Sequence, residues 1–213
     1  MQKTKILFDL DGTIIDSSAG IYASLNYAMK EMNRAPLSQK TLKSFIGPPL
    51  IDSFVKIGMS KQEAKEAVDH YRTLYKEKGM YQVSPYNGIE EVLTQLSKKY
   101  ELFIATSKPE FFAIKIVDHL GYSKFLNAVY GADLKGVRSD KTAVIHDALK
   151  AEKIEDLSTV VMVGDRAHDI TGAIENQIDN VGVLYGFGDK EELLKAGTQT
   201  IVEKPMDLLE IFQ

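Results

Sequence analysis

Lys5-Ile6-Leu7-Phe8-Asp9-Leu10-Asp11-Gly12-Thr13 decides how this chain is read. A lysine and three apolar residues, Ile6, Leu7 and Phe8, lead into two aspartates that flank a leucine, and a glycine then permits a tight turn. In an extended backbone successive side chains alternate, so both carboxylates project to the same side at the C-terminal end of a strand. The rest of the chain repeats the beginning of that pattern. Leu102 to Ala105, Ala128 to Tyr130, Val160 to Val163 and Val181 to Leu184 are short, nearly continuous apolar runs, with Thr200 to Val202 a weaker sixth. Such runs suit strands buried on both faces of a parallel sheet.

Between the runs lie helical periodicities. Ile89, Val92, Leu93 and Leu96 share one face, as do Val144, Ile145, Ala148 and Leu149. Pro205 reads as the first-turn proline of a closing helix carrying Leu208, Leu209 and Phe212. Alternating strands and helices predict an α/β fold with a doubly wound, Rossmann-like parallel sheet.

From about Asp16 to Val83 the alternation stops and only helical patterns are found. Ile21, Leu25, Ala28, Met29 and Met32 line one helix. Ser60 and Glu63 make a capping box ahead of Ala64, Ala67, Val68, Tyr71, Leu74 and Tyr75. Between them, Gly47-Pro48-Pro49 requires a rigid non-helical turn. We therefore expect a core domain formed by residues 1–15 and 84–213, and a smaller all-helical domain, residues 16–83, inserted after the first strand. Ser84 to Gly88 is the return linker.

The bulk properties exclude several functions. The 213 residues carry 26 Lys and Arg against 30 Asp and Glu, a formal charge of -4. That balance gives no basic footprint for a nucleic acid polymer. Cysteine is absent, which removes disulfides, thiolate catalysis and thiolate-bound metals together. No apolar stretch approaches the roughly 20 residues that span a bilayer, and the N-terminus does not read as a signal peptide. A soluble, cytoplasmic protein is the expectation.

The chemistry-bearing residues sit where strands end. Two close carboxylates, Asp9 and Asp11, repel, so they need either a cation such as magnesium or a shared proton. Taken alone, a solvated acidic turn explains them equally well. A second acidic pair, Asp165 and Asp169 in Gly164-Asp165-Arg166-Ala167-His168-Asp169, follows the Val160 run; by itself it could simply cap the next helix. His168 is assigned to solvent or local packing. Thr106-Ser107 follows Ala105, and Lys108-Pro109 is expected to begin a helix whose free N–H groups would suit an anion. Lys141 lies early in the helix after Tyr130. Together these groups supply a nucleophile, an acid, metal ligands and phosphate donors at the one edge of a parallel sheet where open α/β folds place ligands. Four unrelated coincidences at one edge are a poorer explanation than a site.

This constellation resembles the haloacid dehalogenase superfamily, in its phosphoglycolate-phosphatase-like branch. Asp9, Asp11, Gly12 and Thr13 match its DxDGT motif, Thr106 the hydroxyl of its second motif, Lys141 the lysine of its third, and Gly164, Asp165 and Asp169 its GDxxxD motif. The resemblance covers nearly the whole chain, the helical cap included. It implies a magnesium-dependent phosphatase acting on a small phosphorylated metabolite through an aspartyl phosphate on Asp9, with Asp11 as acid and then base. It also implies magnesium held by Asp9, the Asp11 carbonyl and Asp165, with Asp169 ligating directly or through water. Thr106, the Ser107 amide and Lys141 would bind phosphate oxygens. Phe45, Ile46, Gly47 and Pro48 resemble the specificity loop of this cap type.

Other members of the superfamily fit less well. Dehalogenases lack the second carboxylate, present here as Asp11. Phosphonate-cleaving relatives replace it and use a cap lysine, which discounts Lys43 in that role. Mutases resembling β-phosphoglucomutase carry a cap histidine that the Asp16 to Gly20 stretch lacks. A phospho-accepting receiver module would be shorter and without the helical insertion. Phosphoglycolate, a nucleoside monophosphate and a sugar phosphate remain as substrates, and Arg138 and Arg166 as groups that reach a second anion or solvent.

Overall fold

The computed structural model describes residues 3–133 and 140–212. In chain order its elements are strand β1 (Lys5–Phe8), β2 (Ile15–Asp16), helices α1 (Ser18–Glu31), α2 (Gln39–Ser44), α3 (Leu50–Lys56) and α4 (Lys61–Glu77), then β3 (Ser84–Pro85), α5 (Ile89–Leu96), β4 (Glu101–Pro109), α6 (Glu110–His119), β5 (Ala128–Ala132), α7 (Lys141–Ala151), β6 (Val160–Gly164), α8 (Ala167–Glu175), β7 (Asp179–Val183), α9 (Lys190–Ala196), β8 (Ile201–Val202) and α10 (Leu208–Ile211). They divide into two compact units, one comprising 1–16 and 85–213 and the other 17–84.

The first unit is built on a six-stranded sheet in the order β5-β4-β1-β6-β7-β8, paired parallel throughout. The chain winds outward from β1 to β5, then crosses to β6 and winds the other way. β1 is thus the pivot, and the crevice beyond the C-terminal ends of β1 and β6 is the topological switch point. Period-two alternation sorts the strand residues between the two faces. Leu7, Phe103, Ala105, Val160 and Met162 pack with Val144, Ile145 and Ala148 of α7 in one buried cluster. The α5 stripe of Ile89, Val92, Leu93 and Leu96 is buried as its spacing predicted. Among the described residues, no helix is long and apolar enough to cross a membrane.

Several expectations need correction. β4 does not stop at Ala105 but runs to Pro109, so Lys108 and Pro109 are strand residues and α6 starts only at Glu110. The closing segment is not one helix: a 3₁₀ turn over Pro205–Asp207 precedes the four-residue α10. Two-residue strands β2 and β3, which pair with each other, stand at the borders of the stretch read as purely helical.

The second unit contains α1 to α4. On α1, Ile21, Leu25, Ala28 and Met29 are buried, whereas Met32 lies just past the helix as its C-cap. α4 starts with the predicted capping box: Ser60 Oγ accepts from the Glu63 N–H at 3.2 Å, and Glu63 Oε2 accepts from the Ser60 N–H at 2.8 Å. Gly20 of α1 lies against the chain at Gly79, where an added Cβ would stand 1.8 Å from the Gly79 carbonyl oxygen. Gly47 takes a positive φ of 105°, and Pro49 caps α3, which gives the non-helical turn expected of Gly47-Pro48-Pro49.

Candidate active site

The β1 strand delivers Asp9 to the switch point. Phe8 pairs with Ile104 of β4 on one side and Val163 of β6 on the other, and the Asp9 N–H donates to the Val163 carbonyl at 2.9 Å. After Asp9 the chain folds on itself: the N–H groups of Ile14 and Ile15 both donate to the Leu10 carbonyl at 3.0 Å. Gly12 is obligatory in this turn. Its φ is +91°, and a Cβ there would meet Asp165 Oδ2 at 2.2 Å. Asp9 is 4% exposed. Its Oδ1 accepts from the Leu10 N–H at 2.7 Å and from Lys141 Nζ at 2.8 Å.

Lys141, at the first position of α7, is held under the strand ends by an N-cap in which Asp140 accepts from the Ala143 N–H at 2.8 Å. Its ammonium lies 2.8 Å from each of three acceptors: Asp9 Oδ1, Asp169 Oδ1 and the Ala105 carbonyl oxygen. It donates to the Ala105 carbonyl and forms ion pairs with the two carboxylates. Burial would lower the Lys141 pKa, but the Asp169 and Asp9 carboxylates outweigh it and raise it. For Asp169 burial pushes upward, yet Lys141, His168 and the Arg166 N–H, which donates to Oδ2 at 3.0 Å, bring it below the ordinary carboxylate value. Asp9 is left raised, chiefly by burial, with Lys141 opposing.

Asp165 at the end of β6 is fully buried. Its Oδ2 accepts from the Phe187 N–H at 2.7 Å, and Thr13 Oγ1 lies 3.4 Å from Oδ1. Burial, followed by the neighbouring Asp169 and Asp9 charges, drives its pKa well above the ordinary value. Glycines wall it in. A Cβ on Gly186 would come within 2.4 Å of the Asp165 Cβ, and one on Gly188 within 1.9 Å of its carbonyl oxygen. Sequence reasoning missed this Gly186-Phe187-Gly188 loop, although two glycines directly after a buried strand are a signal for close backbone approach.

Asp11 contributes the fourth carboxylate, and here the sequence reading omitted its partner. Lys108 Nζ is 2.8 Å from Asp11 Oδ2, whereas Asp11 Oδ1 is buried without a hydrogen bond. Thr106 is buried on the same strand end and accepts from the Lys108 N–H at 3.2 Å, which leaves its own hydroxyl hydrogen to donate; Ser107 is half-buried beside it. His168 packs locally, with Nε2 3.8 Å from Asp169 Oδ1. Arg166 Nε pairs with Glu192 at 2.8 Å. Arg138 lies outside the described residues. In the helical unit, Phe45 and Ile46 are buried, Phe45 edge-on to Phe54 at 5.0 Å, while Gly47 and Pro48 are exposed.

The donor set fits a hard divalent cation. Four carboxylates, Asp9, Asp11, Asp165 and Asp169, face two ammonium groups, leaving a formal deficit of two positive charges. Oxygen ligands of this kind suit magnesium. Ligand atoms of Asp9, His168 and Asp169 lie within 4.8 Å of one another. However, Lys141 already stands 2.8 Å from both of those carboxylates. The Asp9 and Asp165 side of the site therefore offers the better place.

Comparisons with known proteins identify the family. The family model described as haloacid dehalogenase-like hydrolase matches residues 6–183. A 5'-nucleotidase of Pseudomonas aeruginosa is 38% identical over 190 residues, covering 88% of this chain and 86% of that protein. Tyrosine-protein kinase PtkA of Mycobacterium tuberculosis is 35% identical over 198 residues, covering 92% and 67%. The solved structure of the haloacid dehalogenase-like family protein SP0104 from Streptococcus pneumoniae superposes with a TM-score of 0.93 at 36% identity, covering 99% of each chain. With its DxDGT turn at the sheet's pivot and a family match over most of its length, the chain belongs to the haloacid dehalogenase-like hydrolases.

Proposed function

We propose that this hydrolase is a magnesium-dependent phosphatase of small phosphate monoesters, working through an aspartyl phosphate on Asp9. The observation that carries the reading is the Asp9 carboxylate, buried at the switch point with both of its contacts, Lys141 and the Leu10 N–H, on Oδ1. Oδ2 is then the oxygen presented to phosphorus. In the first step it attacks, the phosphorus–ester oxygen bond breaks, and Asp11 gives its proton to the departing alcohol. In the second, Asp11 takes a proton from water, which attacks the same phosphorus and releases inorganic phosphate and the Asp9 carboxylate. Asp9, the Asp11 carbonyl and Asp165 are the proposed holders of magnesium, with Asp169 supporting them. Bound there, the ion would offset charge on the phosphoryl oxygens. Thr106 and Ser107 donate to phosphate, and Lys141 contributes its charge while holding Asp9 and Asp169 in place. The helical unit acts as the cap, with Gly47 and Pro48 the exposed part of its specificity loop.

The relative named 5'-nucleotidase puts nucleoside monophosphates on the substrate panel beside phosphoglycolate and sugar phosphates. The relative named a tyrosine kinase supports a second reading, in which a tyrosine hydroxyl replaces water as the final acceptor. Phosphate release from the panel, with and without magnesium, tests both readings. Asp9→Asn should reduce it roughly 10⁴-fold or more. Release that survives in Asp9→Asn sinks the covalent mechanism. Label that passes to a tyrosine peptide in preference to water favours the second reading.

A further inference from the structure

Asp165 and Asp169 lie at opposite ends of one turn, and a single segment of chain, residues 186–192, grips that turn from outside. The Phe187 N–H donates to Asp165 Oδ2 at 2.7 Å. Gly186 packs on the Asp165 side chain, and Gly188 lies against the Asp165 carbonyl oxygen. The remaining hold is a side chain, that of Glu192 on α9. Its Oε1 accepts from Arg166 Nε and from the Ala167 N–H, both at 2.8 Å. Glu192 is itself fixed by the start of α9, where its N–H donates to Asp189 Oδ1 at 2.9 Å.

These contacts bear on both acids at once. Ala167 is the first residue of α8, so its N–H has no acceptor within the helix. Arg166 precedes it as the N-cap, and the Arg166 N–H donates to Asp169 Oδ2 at 3.0 Å. Glu192 therefore fixes the residue that follows Asp165 and, through the backbone of that residue, the carboxylate of Asp169. The turn needs such a hold, because Asp165 is buried and the charges of Asp169 and Asp9 act against its own. A second carboxylate has the same kinds of partner without that burden. Glu63, in the helical unit, accepts from the Ser60 N–H at 2.8 Å and from Arg34 Nη2 at 2.7 Å. The stretch it caps, Ser60-Lys61-Gln62, contains no acid.

We propose that Glu192 is a positioning residue for magnesium: by clamping Arg166 and Ala167 it holds Asp165 and Asp169 at the separation the ion requires. It touches neither the ion nor the substrate. This assignment rests on the proposed function only in taking Asp165 and Asp169 as holders of magnesium.

The test is calorimetric titration of magnesium into the full chain, without substrate, for the wild type, Glu192→Ala, Glu192→Gln and Glu63→Ala. Removing a group that orients metal ligands costs about 10-fold to 100-fold in affinity, so Glu192→Ala should bind at least about 10-fold more weakly. Glu192→Gln keeps an acceptor for the Ala167 N–H but gives up the charge that pairs with Arg166, and should fall between the two. Glu63→Ala loses equivalent contacts, so its melting temperature in chelator should also drop while its magnesium affinity stays at the wild-type value. That split separates positioning from a general loss of stability. Undiminished affinity in Glu192→Ala, or in Glu192→Gln should the alanine variant fail to fold, overturns the assignment, as does an equal loss in Glu63→Ala. A wild type that binds no magnesium overturns it together with the proposed function. Magnesium binding with no phosphate released from any ester would sink the phosphatase reading alone.

Discussion

Replacing Lys141 with methionine should destabilise the fold severely, and by an amount that depends on pH in a specific direction. Lys141 is 2% exposed and its ammonium lies 2.8 Å from three oxygens, two of them in the carboxylates of Asp9 and Asp169, residues that are themselves 4% and 0% exposed. Methionine fills the space but leaves Asp9 and Asp169 without their ammonium counter-ion and removes the donor to the Ala105 carbonyl. Breaking a buried ion pair from one side costs about 3–5 kcal/mol, because the surviving charge stays desolvated. For a chain of this size each kcal/mol moves Tm by roughly 2–4 °C, so a fall of about 6–20 °C is expected.

In the wild type the Lys141 pKa is raised and that of Asp169 lowered. Their pairing therefore contributes fully from above the unfolded aspartate value, about 3.9, up to the unfolded lysine value, about 10.4. It is lost only as pH falls through the depressed Asp169 value or rises through the elevated Lys141 value. In the variant, both carboxylates lose their counter-ion and their folded pKa values rise above the unfolded ones. Its stability should then improve as pH falls from 7 toward 5, narrowing the gap to wild type. Thermal melts across pH 5–8 in the presence of a chelator read this directly. A gap below about 1 kcal/mol, or one that stays constant over that range, would refute the view that Lys141 compensates two buried charges.

Two further substitutions bear on the acidic cluster. Asp165→Asn removes the carboxylate that burial and its neighbours raise furthest, and the amide can still accept from the Phe187 N–H, so the chelated protein should gain about 1–2 kcal/mol while losing magnesium-dependent activity; a melt no higher than wild type at neutral pH contradicts this. Gly12→Ala forces a side chain into the left-handed region at φ +91° and against Asp165 Oδ2, so we expect a loss of about 1–3 kcal/mol and magnesium affinity weakened at least 10-fold by calorimetric titration, and unchanged affinity would show that the turn does not shape the ion site.

The strand ends were legible because their signal is local. A buried run of Val, Ile and Phe followed at once by Asp9 or Asp165 announces both the sheet and the edge where chemistry collects. Lys108 was misplaced because proline favours the first turn of a helix, whereas Gly131 on the neighbouring strand leaves room for β4 to run on to Pro109. Lys141 could be placed on a helix start, but nothing near it in sequence reveals that it reaches back to Ala105. The glycine walls around Asp165 arise from segments far apart in the chain. By resemblance Phe45 and Ile46 fall in a specificity loop, yet both are buried in the helical unit, Phe45 against Phe54. Contacts between distant segments leave no periodicity to read.

The winding of the sheet from β1 out to β5 and back to β6 also sets an order of arrival during synthesis. Asp9 emerges first, Lys141 on α7 next, and the Asp165 and Asp169 pair last. The ammonium is thus in hand before the second pair of negative charges must dock beside the first. A chain that offered both acidic segments before their lysine would have to close its central strands against unscreened repulsion. Refolding of Lys141→Met should accordingly be slowed more by low salt than refolding of the wild type, since mobile ions would then be the remaining source of positive charge at that step.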